Sequence, residues 1–370
     1  MLSKQLYTFV LAISLVLSVS VAQQHSGSAA AGKVLEVNVP APSLKGNLIG
    51  DPTEQPIFVY LPPSYETSPT KRYPTLYLLH GFNGKSRIWT TGAFQGFSLQ
   101  PAVDQLIQDG KTREIIVVAA NGWNRYGGSF YANSPTTGNW EDFIYRDLVT
   151  FVDSNYRTLA RPESRGIAGH SMGGYGAIMM GMKHPDVFSA LYALSPCCTV
   201  IGEDMSEANP VWPSVLSLRS KTDLNMSPQS PDQFFKLVFV AMSAAFSPNT
   251  ERTPFYVDFP FQEKKGACPA SPCLDRNETI YAKWRAHIPV YLVDENKANL
   301  LKLKGIFIDY GQREQFSHIR TGAKLFSQAL AEHNIPHGFE VYADGDHGNK
   351  VRQRMETRVF EFFNEVLKFE

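Results

Sequence analysis

Only four of the 370 residues are cysteine, and Lys+Arg 35 cancel Asp+Glu 35 to leave no formal net charge. A chain without net charge has no field to gather nucleic acid or an acidic membrane surface, so no nucleic-acid partner is expected. The chain has no C-x-x-C pair and no H-E-x-x-H run, the spacings that set metal-ligating side chains on one face of a turn or helix. No metal and no organic cofactor is expected. Internal repeats and low-complexity tracts are also missing. The one long apolar run near the start, residues 10–21, is too short to span a bilayer comfortably, and no stop-transfer charge cluster follows it, so no stable membrane insertion is expected. With Met1 to Lys4 as a basic n-region and Ser20-Val21-Ala22 as a small-residue cleavage site, residues 1–22 read as a signal peptide. A secreted or periplasmic location is the expectation, and no cysteine follows the cleavage site to carry a lipid. Residues 23–32 read as a polar linker, which leaves 33–370 for one large α/β domain.

Export makes the few cysteines interpretable. Cys268 and Cys273 bracket a short loop and are expected to form a local disulfide. Cys197 and Cys198 are adjacent, and neighbouring cysteines rarely bond without strain, so either both are free or one reaches the distant pair. Asn277-Glu278-Thr279 is a glycosylation sequon, meaningful only in a host that glycosylates exported proteins.

What the chain does contain is Gly169-His170-Ser171-Met172-Gly173-Gly174, placed after a strand-like run (165–168) and before a helix-like run (175–182). A bare G-x-S-x-G match arises by chance in roughly one chain in seven of this length, so the context decides. Here the context is that of a nucleophile elbow, with Ser171 projecting from a sharp strand-to-helix turn and the Met172 amide free at a helix N-terminus to bind an oxyanion. An elbow calls for an acid and then a histidine, each in a loop after a later strand. Residues 305–311 read as a buried strand with Glu314 in the loop beyond, and 339–342 as another, followed by Asp344-Gly345-Asp346-His347. His347 is the expected base and Glu314 the expected acid. Asp309 is the rival acid, but it falls within the strand pattern. His184, His318, His333 and His337 are expected to be solvated or structural. The run 73–79 is a further strand ending in His80-Gly81-Phe82, which makes the Phe82 amide the second oxyanion donor and His80 a structural hydrogen-bonding group. Trp123 and Tyr126, in a loop after the strand over 115–119, are placed where such sheets bind ligands and are candidate substrate-stacking residues. A long helix is expected over 139–156. From 199 to 298 the strand rhythm stops, and this stretch reads as an insertion short of regular structure, either a lid or pocket wall or a solvated elaboration.

Val59-Tyr60-Leu61-Pro62-Pro63-Ser64-Tyr65, Arg72-Tyr73-Pro74 leading into His80-Gly81, Asp147-Leu148, Asn155-Tyr156-Arg157 and the elbow together resemble the esterase D group of α/β-hydrolases over residues 33–370. The resemblance implies an α/β-hydrolase fold, a mostly parallel sheet with helices on both faces. It also implies a serine carboxylesterase acting through Ser171, His347 and Glu314 on a small-molecule or polysaccharide-linked ester. Its acid follows a strand and a D-x-G turn, here Asp309-Tyr310-Gly311. Most members carry aspartate at that place and the mycolyl transferases carry glutamate, so acyl transfer to a sugar hydroxyl is the alternative, with a non-catalytic binding module behind it.

Overall fold

The computed structural model describes residues 31–264 and 273–370. The signal-peptide reading (1–22), most of the linker and Cys268 lie outside the described residues. The linker's last residue is already tied down, because the Gly32 amide donates to Asp104 Oδ1 at 2.9 Å.

Eight strands make one sheet: β1 (Lys33–Pro40), β2 (Glu54–Leu61), β3 (Thr75–Leu79), β4 (Ile116–Ala120), β5 (Arg165–His170), β6 (Ala190–Leu194), β7 (Gly305–Gly311) and β8 (Gly338–Tyr342). Their spatial order is β1-β2-β4-β3-β5-β6-β7-β8. β1 with β2 and β2 with β4 pair antiparallel, and every pairing from β4 onward is parallel. Strands β3 to β6 are buried along their whole length, which is why they read as unbroken apolar runs rather than alternation: helices cover both faces. β3 starts two residues after its expected start, β4 is shifted by one, and the elbow strand runs two residues further than expected. The strand order reverses around β3, so the turn leaving β3 and the turn leaving β5 emerge side by side at the carboxyl edge, where open α/β sheets place their sites.

The expected helix over 139–156 runs as Trp140–Asp142, a wider-wound Phe143–Leu148, and Val149–Asn155. The insertion departs from expectation, since it is not short of regular structure. It holds helices Trp212–Leu216, Pro231–Phe246 and Glu278–Arg285, and a small hairpin of Phe261–Glu263 with Leu274–Arg276. Residues 237–246 are buried on every side. A helix without a polar face shows no 3.6-residue alternation, so periodicity passed over it. Its start was nonetheless written in the chain: Ser230 caps the helix by accepting from the Gln233 amide, and Pro231 occupies the first turn. Trp212 stacks on Phe239 at 4.1 Å, and the Trp284 indole donates to Ser247 Oγ at 3.0 Å, so the insertion has its own aromatic core continuous with that of the sheet. Among the described residues no helix is long and apolar enough to cross a membrane.

Candidate active site

Ser171 stands between β5 and helix Met172–Lys183 with φ 57° and ψ −116°, a backbone conformation that costs free energy for any residue with a side chain. The surroundings hold it there. The Ser171 amide donates to Leu194 O at 2.9 Å, and its carbonyl accepts from Cys197 N at 3.1 Å. The motif glycines are needed for close approach: a Cβ on Gly169 would lie 2.3 Å from the Gly173 carbonyl, and one on Gly173 would lie 2.1 Å from Leu79 O. Strand, helix and the neighbouring β3 touch backbone to backbone, and this forces the serine outward.

Phe82 follows β3 by three residues. Among the described residues the amides of Phe82 and Met172 donate to no protein acceptor. For Met172 that follows from its place at the first position of a helix, where amides have no intrahelical partner. His80 is fully buried: Nδ1 donates to Gly81 O at 2.8 Å and Nε2 accepts from Gly122 N at 2.8 Å. Burial lowers its pKa to about 4, against the opposite pull of the Gly81 carbonyl and the Asn121 side chain. A neutral imidazole thereby ties the β3 turn to the loop after β4.

Glu314 and His347 come together from the loops after β7 and β8. His347 Nδ1 lies 2.7 Å from Glu314 Oε2, and Oε1 of the same fully buried carboxylate accepts from the Phe316 amide at 3.1 Å. With Nδ1–H committed to the carboxylate, Nε2 keeps the lone pair. The two loops interlock: Arg313 N donates to Gly345 O at 2.7 Å and His347 N to Gln315 Oε1 at 3.1 Å. Asp346 folds the histidine loop by accepting from the Gly348 and Asn349 amides, which lowers its carboxyl pKa. Asp309 is engaged elsewhere. Its Oδ2 accepts from Tyr192 OH and Arg354 Nε, both at 2.7 Å, inside the sheet.

His170, inside the motif itself, was not singled out by sequence reasoning. Its ring is neutral, because burial and then the neighbouring His347 lower its pKa to about 3, so Nε2–H donates to His347 O at 2.6 Å. The elbow strand thus grips the histidine loop directly. The only signal in the chain was its place beside the serine.

A small apolar cavity opens on Ser171. Its walls are Phe82, Phe130, Phe234, Phe235, Phe316, Met205, Val238 and Ile319, with Cys197, Cys198 and His318 alongside. Met205, Phe234, Phe235 and Val238 belong to the insertion, which therefore walls the cavity. The loop after β4 contributes Phe130 rather than the two aromatics expected from it. Tyr126 is buried with its hydroxyl on Phe255 O at 3.1 Å, and Trp123 packs under Lys85, whose Nζ is 4.3 Å from the ring centroid. Neither lines the cavity at Ser171; both line a separate surface depression with Lys221 and Met226. They act as packing anchors, the common fate of aromatics in such loops.

The histidine of another histidine–carboxylate pair borders this cavity. His318 Nδ1 lies 2.7 Å from Asp204 Oδ1, and the His318 amide donates to that oxygen at 2.9 Å. Burial opposes the charged imidazole, but Asp204 and Cys197 outweigh it and raise His318 to about 9. His318 is therefore structural but not solvated. Cys197 and Cys198 are free, so neither reaches the distant pair.

An esterase family model matches residues 52–360, more than half of the chain. The chain belongs to the Esterase family. It is 34% identical over 136 residues to an esterase of Mycobacterium tuberculosis, covering 36% of this chain and 27% of that protein. It is 33% identical over 138 residues to an endo-1,4-beta-xylanase/feruloyl esterase of Xylanibacter ruminicola, covering 35% of this chain and 18% of the relative. The chain thus spans under a third of the length of these curated relatives. A solved ferulic acid esterase superposes over 91% of this chain and 99% of its own, with TM-score 0.59 and 21% identity. An S-formylglutathione hydrolase from Agrobacterium tumefaciens superposes over 92% and 98%, with TM-score 0.58 and 17% identity. The α/β-hydrolase fold and the esterase D likeness expected from the motifs stand.

Proposed function

We propose that this esterase is an exported serine carboxylesterase working through Ser171, His347 and Glu314. The observation that carries the reading is the 2.7 Å His347–Glu314 pair, locked by interleaved loops, with the His347 ring 4.6 Å from that of His170, the residue before the strained Ser171. Ser171 Oγ attacks the ester carbonyl while His347 Nε2 takes its proton and Glu314 stabilises the imidazolium. The negative oxygen of the tetrahedral intermediate is held by the Phe82 and Met172 amides, which donate to no protein acceptor among the described residues. Collapse expels the alcohol, protonated by His347, and leaves an acyl-Ser171 ester. Water, activated by the same histidine, releases the acid.

The cavity's phenylalanine walls favour an apolar or aromatic acyl group, consistent with the ferulic acid esterase among its structural neighbours. Export rests on the sequence of residues 1–22 alone, and the pairing of Cys273 with Cys268 on the short spacing between the two cysteines. Hydrolysis of a panel of chromogenic esters differing in acyl length and aromaticity tests the reading. Turnover of aromatic acyl esters above short aliphatic ones is expected, and no turnover of any member would overturn it. Adding a sugar acceptor separates the alternative, since an acyltransferase would release free acid more slowly and form acyl-sugar.

A further inference from the structure

Two thiols stand in the wall of the Ser171 cavity, and ester hydrolysis has no use for them. Cys197 and Cys198 are free and almost fully buried, yet both border the cavity. Their sulfurs share a hydrogen bond at 2.7 Å. On the other side of Cys197 stands His318, held by Asp204. The backbone joins the pair to the nucleophile, because the Cys197 amide donates to the Ser171 carbonyl at 3.1 Å. Cys198 also sits at φ 56°, so this corner is already bent away from ordinary geometry.

We propose that Cys197 and Cys198 are a redox-modifiable dithiol, which a low-molecular-weight disulfide oxidises to a vicinal disulfide that disables the adjacent Ser171 elbow. The proposal rests on the serine-esterase reading for its effect on activity, though not for its chemistry. The two thiols are unequal. Burial would push the Cys197 thiol up, but its hydrogen bond with Cys198 and the facing His318 outweigh burial and bring it down to about 7. Cys198 is driven the other way, well above the usual range, by burial and by Cys197 itself. Cys197 is therefore the attacking thiolate and Cys198 the resolving thiol.

In the first step the Cys197 sulfur bonds to one sulfur of the reagent RS–SR, whose S–S bond breaks and releases RS⁻. In the second, Cys198 gives its proton to that thiolate and attacks Cys197 Sγ, and the second RS⁻ leaves to be protonated in turn. Two protein thiols are oxidised and one disulfide is reduced to two RSH. Adjacent α-carbons are about 3.8 Å apart, below the usual window of roughly 4.4–6.8 Å for a disulfide. The eight-membered ring therefore forces the 197–198 peptide to move and takes the Cys197–Ser171 hydrogen bond with it. Strain of this kind also makes the bond easy to reduce, which suits a reversible switch.

The test incubates the reduced full chain with glutathione disulfide. It follows both the mass of the peptide carrying Cys197 and Cys198 and the hydrolysis of a chromogenic ester. The expected result is loss of two hydrogens from that peptide with a fall in kcat of about tenfold or more, both reversed by dithiothreitol. Cys198→Ser should stop at a glutathione adduct on Cys197. A peptide that keeps both thiols would overturn the proposal, as would vicinal oxidation that leaves kcat unchanged. If the reduced protein hydrolyses no ester, the esterase reading fails by itself, while the peptide mass still decides whether the dithiol oxidises.

Discussion

His347 and His318 each hold a carboxylate through Nδ1 at the same 2.7 Å, and of the two rings it is His318 that lines the cavity opening on Ser171. In the His347–Glu314 pair the acid is fully buried and the imidazole side chain is 18% exposed. In the His318–Asp204 pair the burial is inverted: the imidazole side chain is 5% exposed and the carboxylate 20%. The first pair arises from two loops at the carboxyl edge of the sheet, and the second joins the first turn of helix Ser317–Glu332 to the insertion. A shared contact distance therefore does not set a shared role. A partly exposed ring whose Nε2 has no partner among the described residues can move a proton, whereas a buried ring held charged between Asp204 and Cys197 fastens the insertion to the core.

Replacing each acid separates the two roles most sharply. Glu314→Gln should lower kcat by about a thousandfold or more with the melting temperature little changed, because the imidazolium loses its partner in the transition state. Asp309→Asn should do the reverse. It leaves Arg354 without its buried partner and should cost about 3–5 kcal/mol of stability in denaturant unfolding, with a smaller loss in kcat than Glu314→Gln. The opposite ranking of kcat would move the acid to Asp309.

Asp204→Asn should cost about 2 kcal/mol in the same unfolding experiment, less than a fully buried pair because Asp204 is partly wet. Its kcat should stay far above that of Glu314→Gln. The pair also predicts a pH dependence. His318 is raised in the fold from its usual 6.5 to about 9, so its stabilisation is complete below pH 6.5 and is lost as pH rises through about 9. The melting temperature of the wild type should fall across that window, and Asp204→Asn should flatten the fall. An identical slope in both proteins would remove His318 as its source.

The smallest effect is expected outside both pairs. Tyr126→Phe removes only the hydroxyl that reaches Phe255 O, and it should cost about 1 kcal/mol of stability while leaving KM within about threefold. A large rise in KM would restore Tyr126 to the substrate site.

The difference between the pairs also marks what the chain made legible. Ser171, Glu314 and His347 sit at the ends of strands whose apolar runs and glycine punctuation are local signals, and chain order supplied the rest. His318 and Asp204 are 114 residues apart, and nothing near either residue names the other. Helix Pro231–Phe246 hides its period because residues 237–246 are buried on all sides, so Phe234 and Phe235 in its first turns, which wall the cavity, could not be assigned to a helix. Tyr126 and Trp123 misled for a related reason: a loop's place at the sheet edge is visible in sequence, but the direction its aromatics take is not.

The claim that Ser171 is the nucleophile of this site is tested most directly by mapping an organophosphonate adduct. The account predicts stoichiometric labelling of Ser171 alone, complete loss of ester hydrolysis in step with labelling, and no labelling of Ser171→Ala. An adduct on another serine, or hydrolysis by Ser171→Ala within about tenfold of wild type, would contradict it.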